Sequence, residues 1–525
     1  MTLRELVTHI GDGVAGGGLD TAIEALVCDS RAAAPGAAFF ALRGSRADGG
    51  EFIPQAVRAG AAAIVSEQAP PEGVTVPWVH VKNARVALAR AAAAHYGFPA
   101  RAMKLAGVTG TNGKTTTAFI LHHLLNAGQL RAGLIGTLFY DLGGERRDAT
   151  HTTPESLHIQ ELLAAMAEAG CRACAMEVSS HALDQERVHG LEFEAAVFTN
   201  LSQDHLDYHG TMESYFAAKA RLFQQVEAQG RGRMIINMDD LWGRKLIVRH
   251  EHTGRVVKIG HGVGADYRAG QIRGGATGTD FELEHKGRGL LVRLPLIGDF
   301  NIHNALGAIA AAHALGMNLR EAVSLVKDTP QVPGRLERVS DQGRFHVYVD
   351  YAHTPDALVN VLATLRHLKP SRIITVFGCG GDRDRSKRPK MAAAAGAGSD
   401  ICLLTSDNPR TEDPEAILKD AAAGFGRGAR HATIVDRREA IEAAIRGARD
   451  GDIILIAGKG HETYQEIHGV RHPFDDRAVA RNLMLEARVA VNAEREERVR
   501  QREAERAMRG DFDPENQRRP FSDRN

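Results

Sequence analysis

The run Gly107-Val-Thr-Gly-Thr-Asn-Gly-Lys-Thr-Thr-Thr117 constrains the fold of this chain more than any other stretch. Ala102-Met-Lys-Leu-Ala106 before it reads as a strand, and Ala118-Phe-Ile-Leu121 after it opens an apolar helical pattern. Between them Gly110 and Gly113 carry no Cβ, so backbone N–H groups can turn inward around an anion at a helix N-terminus. Lys114 is placed to reach the outer phosphates of a nucleoside triphosphate, and the Thr115 hydroxyl to meet Mg²⁺. Val108 stands where the usual spacing has its first glycine, and the glycines fall at 107, 110 and 113 instead. Gly-Lys-Thr between a strand and a helix still predicts triphosphate binding, with Thr111, Asn112 and Thr116 completing the cradle.

A chain of 525 residues is too long for one growing core, and two to four domains are expected. Lys plus Arg and Asp plus Glu both number 65, so no general field favours nucleic acid, and acidic ligands must be held by local sites. Five cysteines, at 28, 171, 174, 379 and 402, are too scattered for a disulfide framework. Cys171-Arg-Ala-Cys174 has half the spacing of a zinc site, but no second pair exists and the stretch reads as a strand start. The N-terminus lacks the basic and apolar regions of a leader, and no window reaches 18 uncharged apolar residues. A soluble cytoplasmic protein without a membrane span is expected.

Short strands at Ala37–Leu42 and Ala61–Val65 alternate with alanine-rich helical patterns over residues 1–100, a small α/β module. A second α/β unit, 101–334, starts at the phosphate loop and carries strand patterns at 172–178, 195–199 and 233–237. Dense glycines and β-rich segments at 258–297 suggest an antiparallel insertion, after which a helix resumes at Asn301–Ala314. A third unit, 335–484, has strands at 345–350, 373–377, 401–405 and 452–457 alternating with helices, the pattern of a mostly parallel sheet with ligands at its strand C-terminal edge. Residues 485–525 read as a solvated helix fading into disorder.

Several polar clusters follow these strands. Glu177 closes one strand, where a carboxylate can hold Mg²⁺, and Asp204 with His205 can complete a second cation site. Lys219 lies on a helical pattern, and spacing alone gives it no role beyond a surface lysine, since an ammonium has no acceptor for a cation. Asp350 ends a strand in the manner of a ribose-binding acid, with Arg335 just upstream. Arg383, Arg385, Lys387, Arg388 and Lys390 follow a glycine turn and suggest anion binding. Pro409 stiffens Asp407-Asn-Pro-Arg410 and aims Arg410, whose guanidinium matches a carboxylate; Glu462, with Gly458 nearby, suits an ammonium. The pair fits a zwitterionic amino-acid head, or else a salt bridge between the two side chains.

Thr109-Gly-Thr-Asn-Gly-Lys-Thr-Thr116, Glu177-Val-Ser-Ser-His181, Asn200-Leu-Ser-Gln-Asp-His205 and Asp350-Tyr-Ala-His353 together resemble the Mur ligase family of ATP-dependent amide-bond-forming enzymes, over about residues 25–480. Asp407-Asn-Pro-Arg410 is similar to the diaminopimelate-adding rather than the lysine-adding members. The resemblance implies an α/β protein of three domains: a small N-terminal α/β domain for the uridine end of the substrate, a central ATPase-like α/β domain with a small antiparallel extension, and a C-terminal Rossmann-like domain. Its implied substrates are ATP with Mg²⁺, UDP-N-acetylmuramoyl-L-alanyl-D-glutamate and meso-diaminopimelate, and a monomer is expected. By the same resemblance Ser30 meets the uridine, and Thr152, Thr153, Ser179, Gln185 and Arg187 meet the muramoyl-dipeptide. Asn301, Asn304, Arg335 and Asp350 belong to ATP. Arg383, Asp407, Asn408, Pro409, Arg410, Gly458 and Glu462 belong to diaminopimelate. Lys219 matches a lysine that family members carbamylate, which gives it an anionic oxygen-bearing head able to support the metal with Thr115, Glu177 and His205. Gly50 departs from the family, which commonly has histidine there, and the tail has no counterpart role. A glutamate-adding folate ligase shares the loop without needing a uridine domain, and a nucleotide-regulated binding protein would keep the loop without releasing ADP in step with two substrates.

Overall fold

A computed structural model describes residues 1–44, 47–72, 74–339 and 344–486, with 501, 502 and 505. Of the charged tail expected from 485, only 485, 486 and those last three fall among the described residues. The chain divides into two units, Met1–Val332 and Pro333–Asn525.

The first unit contains two sheets. Its N-terminal sheet orders the strands Val14–Ala15, Trp78–His80, Ala63–Ser66, Ala37–Phe40 and Ala25–Val27, parallel except for the first pair. Ala37–Phe40 and Ala63–Ser66 are buried throughout, the signature of a parallel sheet covered on both faces. The helix Leu3–Ile10 begins with a capping box between Thr2 and Glu5, and its Leu3, Leu6 and Ile10 face the core at helical spacing.

The second sheet has eleven strands and is centred on Lys104–Thr109, flanked by Ala173–Glu177 and Phe193–Phe198. Arg233–Asn237 and Val256–Gly260 extend it in parallel on one side, Ala132–Ile135 on the other. The glycine-dense region carries the expected antiparallel strands, preceded by parallel pairings that join them to the central sheet. Val256–Gly260 is parallel to its neighbour, Tyr267–Gly275 begins parallel to it, and only then do Gly278–His285 and Arg288–Leu294 fold back antiparallel. These strands continue the central sheet because Tyr267, Ala269, Phe281, Leu283, Val292 and Leu294 alternate onto the same core as the phosphate-loop helix. At the other edge, the hairpin Phe139–Asp141 and Arg146–Asp148 has no counterpart among the sequence expectations, since its second strand is polar and exposed.

The second unit has six strands in the order Glu337–Arg338, His346–Asp350, Ile453–Ala457, Ile373–Phe377, Ile401–Leu404 and His431–Thr433, parallel after the first pair. Arg437 lies fully buried against it. Its guanidinium donates to both carboxylate oxygens of the equally buried Asp476, at 2.8 and 2.7 Å, and to the carbonyls of Ser406 and Ala457. That one side chain ties two strand-end loops to the helix at 476–486. No helix among the described residues is long and apolar enough to cross a membrane.

Candidate active site

The phosphate loop lies at the C-terminal end of the strand Lys104–Thr109, and the helix Lys114–Ala127 follows directly. Gly110 has φ 146° and Gly113 φ 86°, conformations that L side chains rarely adopt. Crowding adds to the requirement: a Cβ on Gly110 would collide with the Thr199 hydroxyl, and one on Gly113 with the amide of Asn304. Thr199 Oγ1 donates to the carbonyl of Asn112 at 2.6 Å, Asn200 Nδ2 donates to the same carbonyl, and the Asn112 N–H donates to Asn200 Oδ1. The loop is thus held by the neighbouring strand end. The Lys114 ammonium bridges the carbonyls of Gly110 and Thr111 at 3.0 and 2.9 Å.

Glu177, at the end of the adjacent strand, is 1 % exposed. Its carboxylate accepts from Thr115 Oγ1 at 2.9 Å, from Thr137 N at 2.7 Å and from Thr137 Oγ1 at 3.2 Å. An acid from a strand end and a hydroxyl from the first turn of a helix therefore converge beside the phosphate cradle, an all-oxygen donor set that fits Mg²⁺. Thr137 carried no motif, and only the fold brings it there.

Lys219 is not a surface lysine. The helix Met212–Ala228 buries it to 1 % exposure, where its amine donates to the Gly110 carbonyl at 2.7 Å and lies over the Tyr215 ring at 4.5 Å. Burial, and then the nearby Lys114 charge, push this amine well below its ordinary range. His205 sits at φ 52° beside Asp204, with its ring edge to face on His181 at 4.9 Å, and burial lowers it. His209, 2.9 Å from Ser180 Oγ, is pushed down to about 4, chiefly by burial. His181, His205, His209 and Tyr215 thus form one chain of ring contacts that ends at Lys219 through Tyr215.

The residues assigned to the muramoyl-dipeptide form one connected patch. Thr153 Oγ1 donates to the Glu177 carbonyl and accepts from the Ser179 N–H, while Thr152 Oγ1 lies 3.0 Å from Thr137 Oγ1. Arg187 donates to the Thr153 carbonyl and to Gln185 Oε1, and pairs with Glu155 at 2.9 Å. Ser30 lies in the N-terminal sheet's loops, where its hydroxyl donates to Gln55 Oε1 at 3.0 Å. A Cβ on Gly50 would stand 2.6 Å from Gln68 Nε2, so that glutamine fills the space where a side chain at 50 would begin. Asn301 and Asn304 are both buried; Asn304 donates to Asn301 and accepts from Thr117, so the two brace the helix Asp299–Ala314 against the phosphate loop.

In the second unit the basic run after Phe377 separates into two kinds of residue. Arg388 is buried and paired with Glu412 and Asp420, and Arg385 also pairs with Glu412, which these partners hold down at about 2. They are structural ion pairs, leaving Arg383 exposed on the turn. Arg410 does not bridge to Glu462. It adopts φ 53°, donates to the Gly381 carbonyl at 2.7 Å and lies 3.6 Å from Glu466. Glu462 instead accepts from Asn408 Nδ2 at 2.8 Å and from the Lys459 ammonium at 3.2 Å. Lys459, fully buried, also donates to Asn408 Oδ1 and to the Tyr464 carbonyl, so it orients both polar heads at once. It had no assigned role, although Gly-Lys-Gly-His-Glu placed it beside Glu462. Asp407 accepts from the Asn408 N–H, and Gly458, at φ 114°, leaves room for its carboxylate. Asp350 is enclosed rather than open. The N–H groups of Leu336 and Ala352 donate to it, burial pushes it up to about 6, and Arg335 stacks on Tyr351 beside it.

Residues 22–96, 108–312 and 334–460 match the families described as Mur ligase family, catalytic domain; Mur ligase middle domain; and Mur ligase, glutamate ligase domain. Two UDP-N-acetylmuramoyl-L-alanyl-D-glutamate–2,6-diaminopimelate ligases are close relatives. That of Solibacter usitatus is 46% identical over 88% of this chain and 94% of its own length, and that of Gloeobacter violaceus 48% identical over 93% and 99%. A solved structure of an enzyme of the same name superposes with a TM-score of 0.67 at 36% identity, covering 93% of this chain and 99% of the other. A glycine-pinned phosphate cradle beside a buried acid, and this likeness along nearly the whole length, lead to one conclusion: the chain belongs to the Mur ligase family.

Proposed function

We propose that the protein is an ATP-dependent amide ligase that joins meso-2,6-diaminopimelate to UDP-N-acetylmuramoyl-L-alanyl-D-glutamate, a step in peptidoglycan precursor synthesis. Its most direct support is the convergence of Lys114, Thr115, Glu177 and the dipeptide patch on one side of the phosphate loop. A carboxylate oxygen is a poor leaving group, so the dipeptide's terminal acid first attacks the γ-phosphorus of ATP, giving an acyl phosphate and ADP. Loop amides and the Lys114 ammonium offset charge on the transferring oxygens. The neutral amine of diaminopimelate then attacks the acyl carbon, its nitrogen gives up a proton to solvent, and phosphate leaves from the tetrahedral intermediate as the amide forms.

Thr115 and Glu177, with His205 and a carbamylated Lys219, are the residues suited to hold Mg²⁺, which when bound neutralises phosphate charge. A depressed amine suits Lys219 to this modification. The neutral nitrogen attacks CO₂, one C=O pair moves onto oxygen, and a proton is released, leaving an anionic carbamate. Labelled CO₂ should therefore produce one carbamate ¹³C resonance that fades as pH falls and the amine is protonated, and that is absent from Lys219→Gln. A signal unchanged in that variant contradicts the assignment.

Arg410 is proposed to take the free carboxylate of diaminopimelate, exchanging its long contact with Glu466 for a charge-assisted pair, while Asn408 and Glu462 take the ammonium. Arg410→Ala should raise KM for diaminopimelate by about 30- to 150-fold, the loss of a charged hydrogen-bonded contact of about 2–3 kcal/mol. ATP affinity should remain; equal loss of both affinities in titrations contradicts the assignment. Competition between diaminopimelate and lysine tests the whole reading. Preferential incorporation of lysine overturns the substrate, and ADP release independent of either acceptor overturns the ligase.

A further inference from the structure

One further group of ligand-bearing side chains converges away from Glu177. Among the described residues, Asp239, His261 and His303 each offer an atom, and these lie within 4.8 Å of one another. Three elements supply them: Asp239 follows the strand Arg233–Asn237, His261 follows Val256–Gly260, and His303 is in the helix Asp299–Ala314. His303 Nε2 lies 2.8 Å from Asp239 Oδ2, and the two imidazoles meet edge to face at 4.6 Å. Asp239 is oriented from behind, its Oδ2 accepting from the His261 backbone N–H at 2.7 Å. Gly260 permits this approach, because a Cβ there would stand 2.6 Å from the same oxygen. His261 Nε2 is buried and faces Asp299 Oδ1 at 3.5 Å.

We propose that Asp239, His261 and His303, joined by Asp299, form a binding site for a first-row divalent ion of Zn²⁺ type, separate from the Mg²⁺ position. Two imidazole nitrogens and the Asp239 carboxylate supply three ligands of a tetrahedral zinc site, and Asp299, whose Oδ1 lies 3.5 Å from His261 Nε2, is the nearest carboxylate for the fourth. The two carboxylates carry two negative charges, which a dication cancels. Nitrogen donors select against Mg²⁺, which prefers oxygens in an octahedron. An ion here ties the helix Asp299–Ala314, whose Asn304 lies against Gly113, to two strand ends.

Calorimetric titration of the chelator-treated full chain with Zn²⁺ alone should show one site, insensitive to millimolar Mg²⁺. Co²⁺ should give the absorption bands of a tetrahedral complex, and crystals soaked in Zn²⁺ an anomalous peak between His261 and His303. His303→Ala and Asp239→Asn should each weaken Zn²⁺ binding more than about tenfold, the scale on which even outer contacts to metal ligands act. If either variant misfolds, His261→Gln and the anomalous peak in the unaltered chain decide. No binding to the unaltered chain, binding undiminished in folded variants, or a peak elsewhere, for example at Cys171 and Cys174, overturns the site.

Discussion

Lys114→Ala should lower ADP formation by about 10²–10³-fold, the loss expected when one preorganised donor to the transferring oxygens is removed. The ammonium rests on two loop carbonyls, Gly110 and Thr111, in a loop held independently by Thr199 and Asn200. Its removal should therefore spare the fold, and the circular dichroism and melting of the variant should match the parent. Arg at this position should not restore the rate, because a planar fork cannot stand in for a compact ammonium between the phosphates and the loop. Turnover within tenfold of the parent, measured at saturating substrates, contradicts the role given to Lys114.

Arg437→Ala should destabilise the second unit by about 3–5 kcal/mol, since it leaves the Asp476 carboxylate buried without its partner. The carbonyls of Ser406 and Ala457 lose a donor as well, next to Asp407 and Gly458. Denaturant unfolding of the full chain should show an early transition, with faster amide exchange in Ile401–Leu404 and Ile453–Ala457. Replacing both partners, as Arg437→Met with Asp476→Leu, should recover much of the loss, because apolar groups in place of a buried pair leave no charge unsatisfied. A single variant as stable as the parent contradicts this account of the pair.

How far these residues could be read from the chain depended on where their partners lie. The strands Arg233–Asn237 and Ile373–Phe377 were legible to the residue, because their centres, Met234–Ile236 and Ile373–Phe377, are buried on both faces and so are mostly apolar. The phosphate loop was legible because strand, glycine turn and helix are contiguous. The hairpin at Phe139–Asp148 was not, since its stability comes from pairing with Ala132–Ile135 rather than from its own polar residues. Lys219 shows the same limit at the site. Its helical spacing reads as a surface position, and only packing under Gly110 and Tyr215 makes it a buried amine. Arg388 is the converse, a basic residue in an apparent anion-binding run that Glu412 and Asp420 absorb.

The sequence by itself determined the phosphate loop, the alternating α/β pattern and the loops that carry polar residues, because each is encoded by neighbours along the chain. Only the tertiary structure decided which carboxylate meets Thr115, which amine is buried, that Lys459 rather than Arg410 pairs with Glu462, and that Asp239, His261 and His303 meet at all. The physical reason is that desolvation and hydrogen-bond partnership depend on distance in space, and residues such as Thr115 and Glu177 become neighbours only when the strand before the phosphate loop pairs with the strand that ends in Glu177.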